Sequence, residues 1–187
     1  ASPYDGLLDI KIDPDFETSP YLYLTYTKGT ATARTGVVYR ARLEGNQLVD
    51  GQELFRTSPP APTGGPNITR IQFLQDKSLI VGVGSSGQPG SGMVQRVDGH
   101  IGKIIRINRD GTVPNDNAIA VADANAKPEL LATGFRSPGG FALNEDGQIW
   151  VLDIGPLGGD ELNLLEAGGN YGWPLLSWGF DYSGRAM

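Results

Sequence analysis

Few residues in this chain have types and spacing suited to chemistry. The 187 residues include one histidine, His100, and no cysteine. Thiol catalysis, a disulfide scaffold and Cys-ligated zinc or iron–sulfur sites are therefore excluded. A base must sit within hydrogen-bond reach of the proton it takes, and His100, just before Gly102-Lys103, reads instead as a lone surface or turn histidine. The loop Gly134-Phe135-Arg136-Ser137-Pro138-Gly139-Gly140 offers one guanidinium, that of Arg136. The run Gly155-Pro156-Leu157-Gly158-Gly159-Asp160-Glu161-Leu162-Asn163 offers two adjacent carboxylates behind a Gly-Pro turn, and Gly168-Gly169-Asn170-Tyr171-Gly172-Trp173-Pro174 follows it. Taken alone, Gly155-Pro156 reads as a tight turn and Arg136 as a surface charge, because turns outnumber metal sites. Asn67-Ile68-Thr69 is an N-x-[ST] sequon and makes Asn67 a glycosylation candidate in a secretory host.

The elements that must position these residues are short strands. With 27 Gly and 13 Pro and 39% apolar residues, the composition is punctuated and turn-rich, which argues for many short strands. The formal net charge of -6 argues against nucleic acid or an anionic membrane as a partner. No apolar run approaches the roughly 20 residues that span a bilayer, and Ala1-Ser2-Pro3-Tyr4 has no signal-peptide character. A start without Met suits a mature, processed or fragmentary chain.

Three segments share one pattern: an apolar alternating strand, a turn with acidic residues or Gly, then a second strand. They run from Leu8 to Tyr26, from Ile71 to Val81 and from Phe141 to Leu152. Alternation joined by such turns is hairpin chemistry. Ile10, Ile71 and Phe141 recur at intervals of 61 and 70 residues. Further strands are expected at Val37–Leu43 and Lys103–Ile107. A unit of about four short strands that buries its faces only against its neighbours marks a β-propeller. The fold class is therefore all-β, with one partial propeller domain over 1–187 and repeats at roughly 6–66, 67–136 and 137–187. Loops are expected at Thr57–Pro66, Gly84–Gly92 and Pro114–Lys127. Three repeats do not close a ring of four to eight blades, and an open half-propeller leaves bare edges that invite pairing. Either the chain is part of a longer protein or a partner supplies the missing half.

Read in order, the motifs resemble a known family. Gly6-Leu7-Leu8-Asp9-Ile10 to Asp13-Pro14-Asp15-Phe16 is similar to a GLLGIALHPDF opening. Gly102–Ile107 through Asp110–Asn117 is similar to GKILRI…DGSVPxDN, Gly134–Gly140 to GHRNPQG, and the run from Gly155 through Pro174 to GPxGGDE-N…GxNYGWP. Together they resemble the soluble glucose/sorbosone (aldose sugar) dehydrogenases that use pyrroloquinoline quinone (PQQ). The resemblance implies a six-bladed propeller, of which about three blades are present, and oxidation of a sugar at C1. It implies PQQ and calcium as cofactors, with the carbonyls of Gly155 and Pro156 on the metal and Arg136 on the anionic quinone. Asp160 and Glu161 would add to the calcium site, or serve equally as cap or ion pair. Tyr171–Pro174 is expected to serve packing and turn geometry.

The same resemblance exposes two gaps. The catalytic histidine of HFGxRI falls at Pro66, and the aspartate of GDR, which orients that histidine, falls at Ser85. GHRNPQG has also lost its Asn and Gln, to Ser137 and Gly139. The expected reading is a degenerate sugar dehydrogenase-like propeller with no catalytic residue at those positions. The alternative is a non-catalytic propeller serving carbohydrate binding or self-assembly into a ring or filament outside the cell. Expected partners are a sugar or polysaccharide, and a further copy or missing half, with no nucleic acid and no transmembrane segment. The expected location is periplasmic or secreted.

Overall fold

In the computed structural model, which describes residues 6–30, 32–60, 68–85 and 92–187, the three hairpins read from alternation seed three antiparallel sheets. The first contains β1 (Gly6–Ile12), β2 (Tyr21–Gly29), β3 (Arg34–Glu44) and β4 (Gln47–Arg56), in that spatial order. The second contains β5 (Ile68–Phe73), β6 (Leu79–Val83), β7 (Lys103–Ile107) and β8 (Leu130–Thr133). The third contains β9 (Pro138–Leu143), β10 (Ile149–Asp153) and β11 (Glu161–Leu164), with β10 in the middle. Each sheet takes consecutive strands and pairs them by meander. A five-residue helix, α1 (Ala118–Ala122), lies within the segment expected to be only loop.

The sheets are propeller blades. Their first strands, β1, β5 and β9, touch in succession, so the sheets fan from a shared inner side. Between the first two sheets, Tyr23, Val38 and Phe55 pack against Ile71, Phe73 and Ile105, with Tyr23 and Phe73 edge to face at 5.1 Å. Between the second and third, Ile80 and Ile104 meet Val151 and Phe141. Burying each such side chain contributes about 1.5–3 kcal/mol. The period-2 alternation of a strand sends neighbouring residues to opposite faces, so Val81 serves one junction and Ile80 the other. The second sheet is apolar on both faces for that reason: all five residues of β6 are buried.

One backbone position fixes how the third sheet's connection returns to the second. Gly134, with φ +81, follows β8, and a Cβ there would lie 2.3 Å from Asn170 Oδ1 and 2.6 Å from the Gly172 nitrogen. Its carbonyl accepts the Trp173 N–H at 3.0 Å. Gly134→Ala should cost about 1–3 kcal/mol or more, through left-handed strain plus the backbone collision. Urea unfolding reads this as a lower midpoint at unchanged slope.

Candidate functional site

The strand ends that feed the shared inner side gather most of the residues singled out in the sequence. Arg136 precedes β9. Its Nη1 donates to the carbonyls of Ile154 (2.7 Å) and Gly155 (2.9 Å), and its Nη2 to the Tyr182 hydroxyl at 2.8 Å. The guanidinium carbon lies 5.6 Å from the Trp173 ring centre and 6.0 Å from that of Tyr182. Arg136 and Gly155 are thus brought together, although 19 residues separate them.

Ser85 joins the same cluster. It follows β6, is buried, and both its amide (2.7 Å) and its hydroxyl (3.1 Å) donate to the Arg136 carbonyl. On the other side of that residue, Asp153 at the end of β10 accepts the amides of Arg136 (2.8 Å) and Ser137 (2.5 Å) on its two carboxylate oxygens. Burial pushes the Asp153 carboxyl up to about 6, aided by the charge of Glu161 and opposed by the two amides and the Arg136 charge. With 5% of its surface exposed and both oxygens engaged, Asp153 positions the 136–137 backbone rather than taking a proton from a ligand.

The Gly-Pro loop is shaped by backbone crowding. A Cβ on Gly155 would lie 2.1 Å from the Gly158 carbonyl oxygen, and one on Gly159 (φ +69) 2.3 Å from the Gly179 nitrogen. Asp160 closes the loop by accepting the Gly155 N–H at 2.8 Å, which is a turn-capping role. Glu161 begins β11 and accepts from Asn163 at 3.1 Å. Pro156 is half-buried beside Gly155. Tyr171 stacks on Phe135 at 4.5 Å, and Trp173 is buried. Pro66 and Asn67 lie outside the described residues, so the position expected to hold the base and the sequon asparagine have no place in this geometry.

His100 corrects the sequence reading. It is 2% exposed, not a surface histidine. Its Nδ1 accepts the Ser58 N–H at 2.8 Å, its Nε2 meets Glu129 Oε1 at 2.8 Å, and Phe55 lies edge-on at 4.9 Å. Because Nδ1 accepts, Nε2 carries the proton given to Glu129. Burial works against the Glu129 charge, but the His100 hydrogen bond leads the effects that hold its carboxyl below the ordinary value. Both ring nitrogens are committed to structure.

Local pattern does not single out Lys103, which opens the apolar strand β7. This side chain is fully buried, and its ammonium donates to the carbonyls of Val94, Ile101 (2.7 Å) and Met93 (3.3 Å). Burial pushes it down to about 7. It ties Met93 and Val94 to β7.

The implied cofactors fit these residues unequally. Arg136 is a half-buried fork suited to carboxylates, and the buried Trp173 Nε1 nearby has no partner among the described residues, an unspent donor of the kind an acceptor-rich ligand satisfies. A cation at Gly155 fits poorly, because that carbonyl already accepts a guanidinium. No group of three His, Cys, Asp or Glu suited to a metal occurs among the described residues.

Comparison with known proteins bears on the same point. The uncharacterized protein slr1608 of Synechocystis sp. is 40% identical over 98% of this chain and 46% of its own length. A crystal structure of the soluble aldose sugar dehydrogenase from Escherichia coli, in the apo form, is 32% identical with a TM-score of 0.91, over 98% of this chain and 53% of that one. The PQQ-bound aldose sugar dehydrogenase from Streptomyces coelicolor is 28% identical with a TM-score of 0.74, over 100% of this chain and 53% of that one. The chain spans about half the length of the curated relatives it matches. The family model described as Glucose / Sorbosone dehydrogenase matches residues 1–187, and the chain belongs to that family.

Proposed function

We propose that this chain is half of a sugar dehydrogenase-type propeller that keeps an anion-binding arginine for PQQ and has lost the proton-transfer pair needed to oxidise a sugar at C1. The observation that carries this reading is Ser85. At the position that the resemblance assigns to an orienting carboxylate stands a neutral hydroxyl, already bonded at 3.1 Å to the Arg136 carbonyl. Pro66, at the position assigned to the base, has no proton acceptor. His100 cannot substitute while both its nitrogens are held by Ser58 and Glu129.

When bound, the quinone supplies the hydride acceptor. Arg136 would hold a carboxylate of it, and Asp153 keeps the Arg136 backbone in place. Calcium enters this reading from the resemblance alone, and the Gly155 carbonyl would have to exchange its Arg136 contact for the metal. A periplasmic or secreted location is part of the same proposal. No helix among the described residues is long and apolar enough to cross a membrane.

The test is a PQQ titration followed by absorbance, with calcium and then with chelator, alongside a sugar-dependent dye-reduction assay. The expected result is saturable PQQ binding without sugar oxidation, weakened roughly tenfold to a hundredfold by Arg136→Ala, as for loss of a charged hydrogen bond. Dye reduction is expected only when Pro66→His and Ser85→Asp are combined. Sugar oxidation by the unsubstituted chain would overturn the loss of chemistry, and absence of PQQ binding would overturn the cofactor role.

A further inference from the structure

A second group of charged side chains gathers at the opposite end of the sheets. In an antiparallel meander, the turn after a first strand lies at the far end from the residues that follow the second strand. Ser85 and Gly155 follow second strands. Asp13 after β1, the β5–β6 turn at Asp76–Ser78 and the residues Asn108–Asp110 after β7 therefore lie away from them. Together with Arg40 of β3 they line a cleft of about 410 Å³. The first and second sheets of this chain supply both of its walls.

The cleft is built around one arginine. The Asp13 side chain is 1% exposed. Its Oδ1 accepts the Asp15 N–H at 2.9 Å and Arg109 Nη1 at 2.8 Å, and its Oδ2 accepts the Tyr23 hydroxyl at 3.1 Å. Arg109 Nη1 also reaches Asp15 Oδ2 at 3.0 Å. From the other side, the Arg109 carbonyl accepts Arg40 Nη1 at 2.8 Å, and the Arg40 guanidinium lies 4.6 Å from the Tyr21 ring centre. These contacts fix Arg109 and leave its Nε–Nη2 edge without a hydrogen-bond partner among the described residues. The next residue, Asp110, spends Oδ1 on the amide (2.9 Å) and hydroxyl (2.6 Å) of Thr112 and leaves Oδ2 without one. The Thr112 hydroxyl and amide hold the Asp110 carboxyl below its ordinary value, so it is charged at neutral pH.

A ligand for this cleft must both give and accept hydrogen bonds. The lining sets Arg40, Lys77 and Arg109 against Asp13, Asp76 and Asp110, so neither sign of charge prevails. A phosphate or carboxylate would match the fork of Arg109 but would bring a negative charge beside Asp110. An ammonium would reverse the conflict. A hydroxyl donates and accepts at once, so adjacent hydroxyls can accept from the Arg109 edge and donate to Asp110 Oδ2 with no charge left unpaired. The volume lies within the range of small-molecule sites. We propose that this cleft binds a neutral polyhydroxylated molecule, such as one sugar residue, between Arg109 and Asp110. The site stands apart from the cofactor reading, since it includes neither Arg136 nor Ser85.

Amide NMR of the protein without PQQ tests it, with glucose added from about 0.1 to 50 mM to bracket a millimolar constant. The expected result is saturable shifts at Ser78 and from Asn108 to Asp110, with none there on adding inorganic phosphate. Arg109→Lys keeps a cation on Asp13 but loses the fork, and Asp110→Asn removes the charged acceptor. Each should weaken glucose about tenfold or more, as for loss of a charged hydrogen bond, while remote amides keep their positions. Should Arg109→Lys fail to fold, the exposed Asp110 carries the test alone. Arg136→Ala should leave glucose binding in the cleft unchanged. Glucose shifts confined to Ser85, Arg136 and Ser137, or loss of the cleft shifts in Arg136→Ala, would overturn the proposal by placing the sugar in the other cluster. Phosphate shifts at Asn108 to Asp110 would overturn it in favour of an anion site. Shifts that never saturate, no shifts at all, or unweakened binding by either folded variant would overturn it outright.

Discussion

Lys103→Met should abolish a rise in stability that the unsubstituted chain shows between about pH 7 and pH 10.5. The ammonium is buried, and its folded value of about 7 lies below its ordinary 10.5. Below pH 7 both folded and unfolded chains carry the proton, so the cost of burying the charge is fully present. Between the two values the unfolded chain binds more protons, and stability therefore rises with pH. Above 10.5 both states are neutral and the cost is gone. A displacement of that size corresponds to a swing of about 5 kcal/mol. Methionine has no proton to lose, although it strands the carbonyls of Val94 and Ile101. Urea unfolding of both proteins from pH 6.5 to 10 should give curves that diverge steadily, the original gaining on the variant. Parallel curves would mean that the three carbonyls hold the ammonium at its ordinary value.

Asp153→Asn should reveal a dependence of opposite sign on the acid side. The Asp153 carboxyl has a folded value of about 6, above its ordinary 3.8, chiefly because it is buried. Between those values the folded chain binds more protons, so this group lowers stability as pH rises from about 4 to 6. The full change is about 3 kcal/mol. Asparagine does not titrate, and its single carbonyl oxygen accepts only one of the two amides that Asp153 now satisfies. At pH 4, where the folded carboxyl is itself protonated, the variant should lie close to the original, and it should lose less on the way to pH 6. A constant difference across that range would sink the prediction. Together the two groups place the greatest electrostatic cost between pH 6 and 7.

Alternation made the hairpins legible in the sequence. Ile10, Ile71 and Phe141 lie on the first strands of the three sheets, because period-2 patterning is a local property that burial enforces. β4 escaped notice because much of it is exposed, from Gln47 through Glu53, so no apolar stripe marks it. β8 has only four residues. β11 sat inside the Gly-rich run, and its polar residues turn inward, which defeats a reading based on polar-out. α1 is one short turn of Ala-rich chain without a side-chain cap.

The candidate site was legible residue by residue but not as a constellation. Arg136, Ser85 and Gly155 were each singled out, yet the contacts joining them span 51 and 19 residues. Asp153 and Lys103 stand in apolar strand contexts, where one charged residue looks like ordinary edge polarity. Their roles come from tertiary burial. His100 misled for the same reason: Phe55 and Glu129 enclose it from distant parts of the chain.

The meander order of the three sheets bears on how the chain reaches this state. The first and third sheets close only short loops between successive strands, so little entropy is lost before those pairings are rewarded, whereas the second joins β6 to β7 and β7 to β8 across the longer connections 84–102 and 108–129. Local pairings of that kind favour rapid formation of those two sheets. The first hairpin, from Gly6 to Gly29, can therefore form while later residues are still emerging from the ribosome. Ser85 and Asp153, from two different sheets, hold the Arg136 backbone across 51 and 17 residues. Ile10, Ile12 and Leu162 are exposed in the folded chain as well, so yield on refolding should fall with concentration even where a sheet forms quickly.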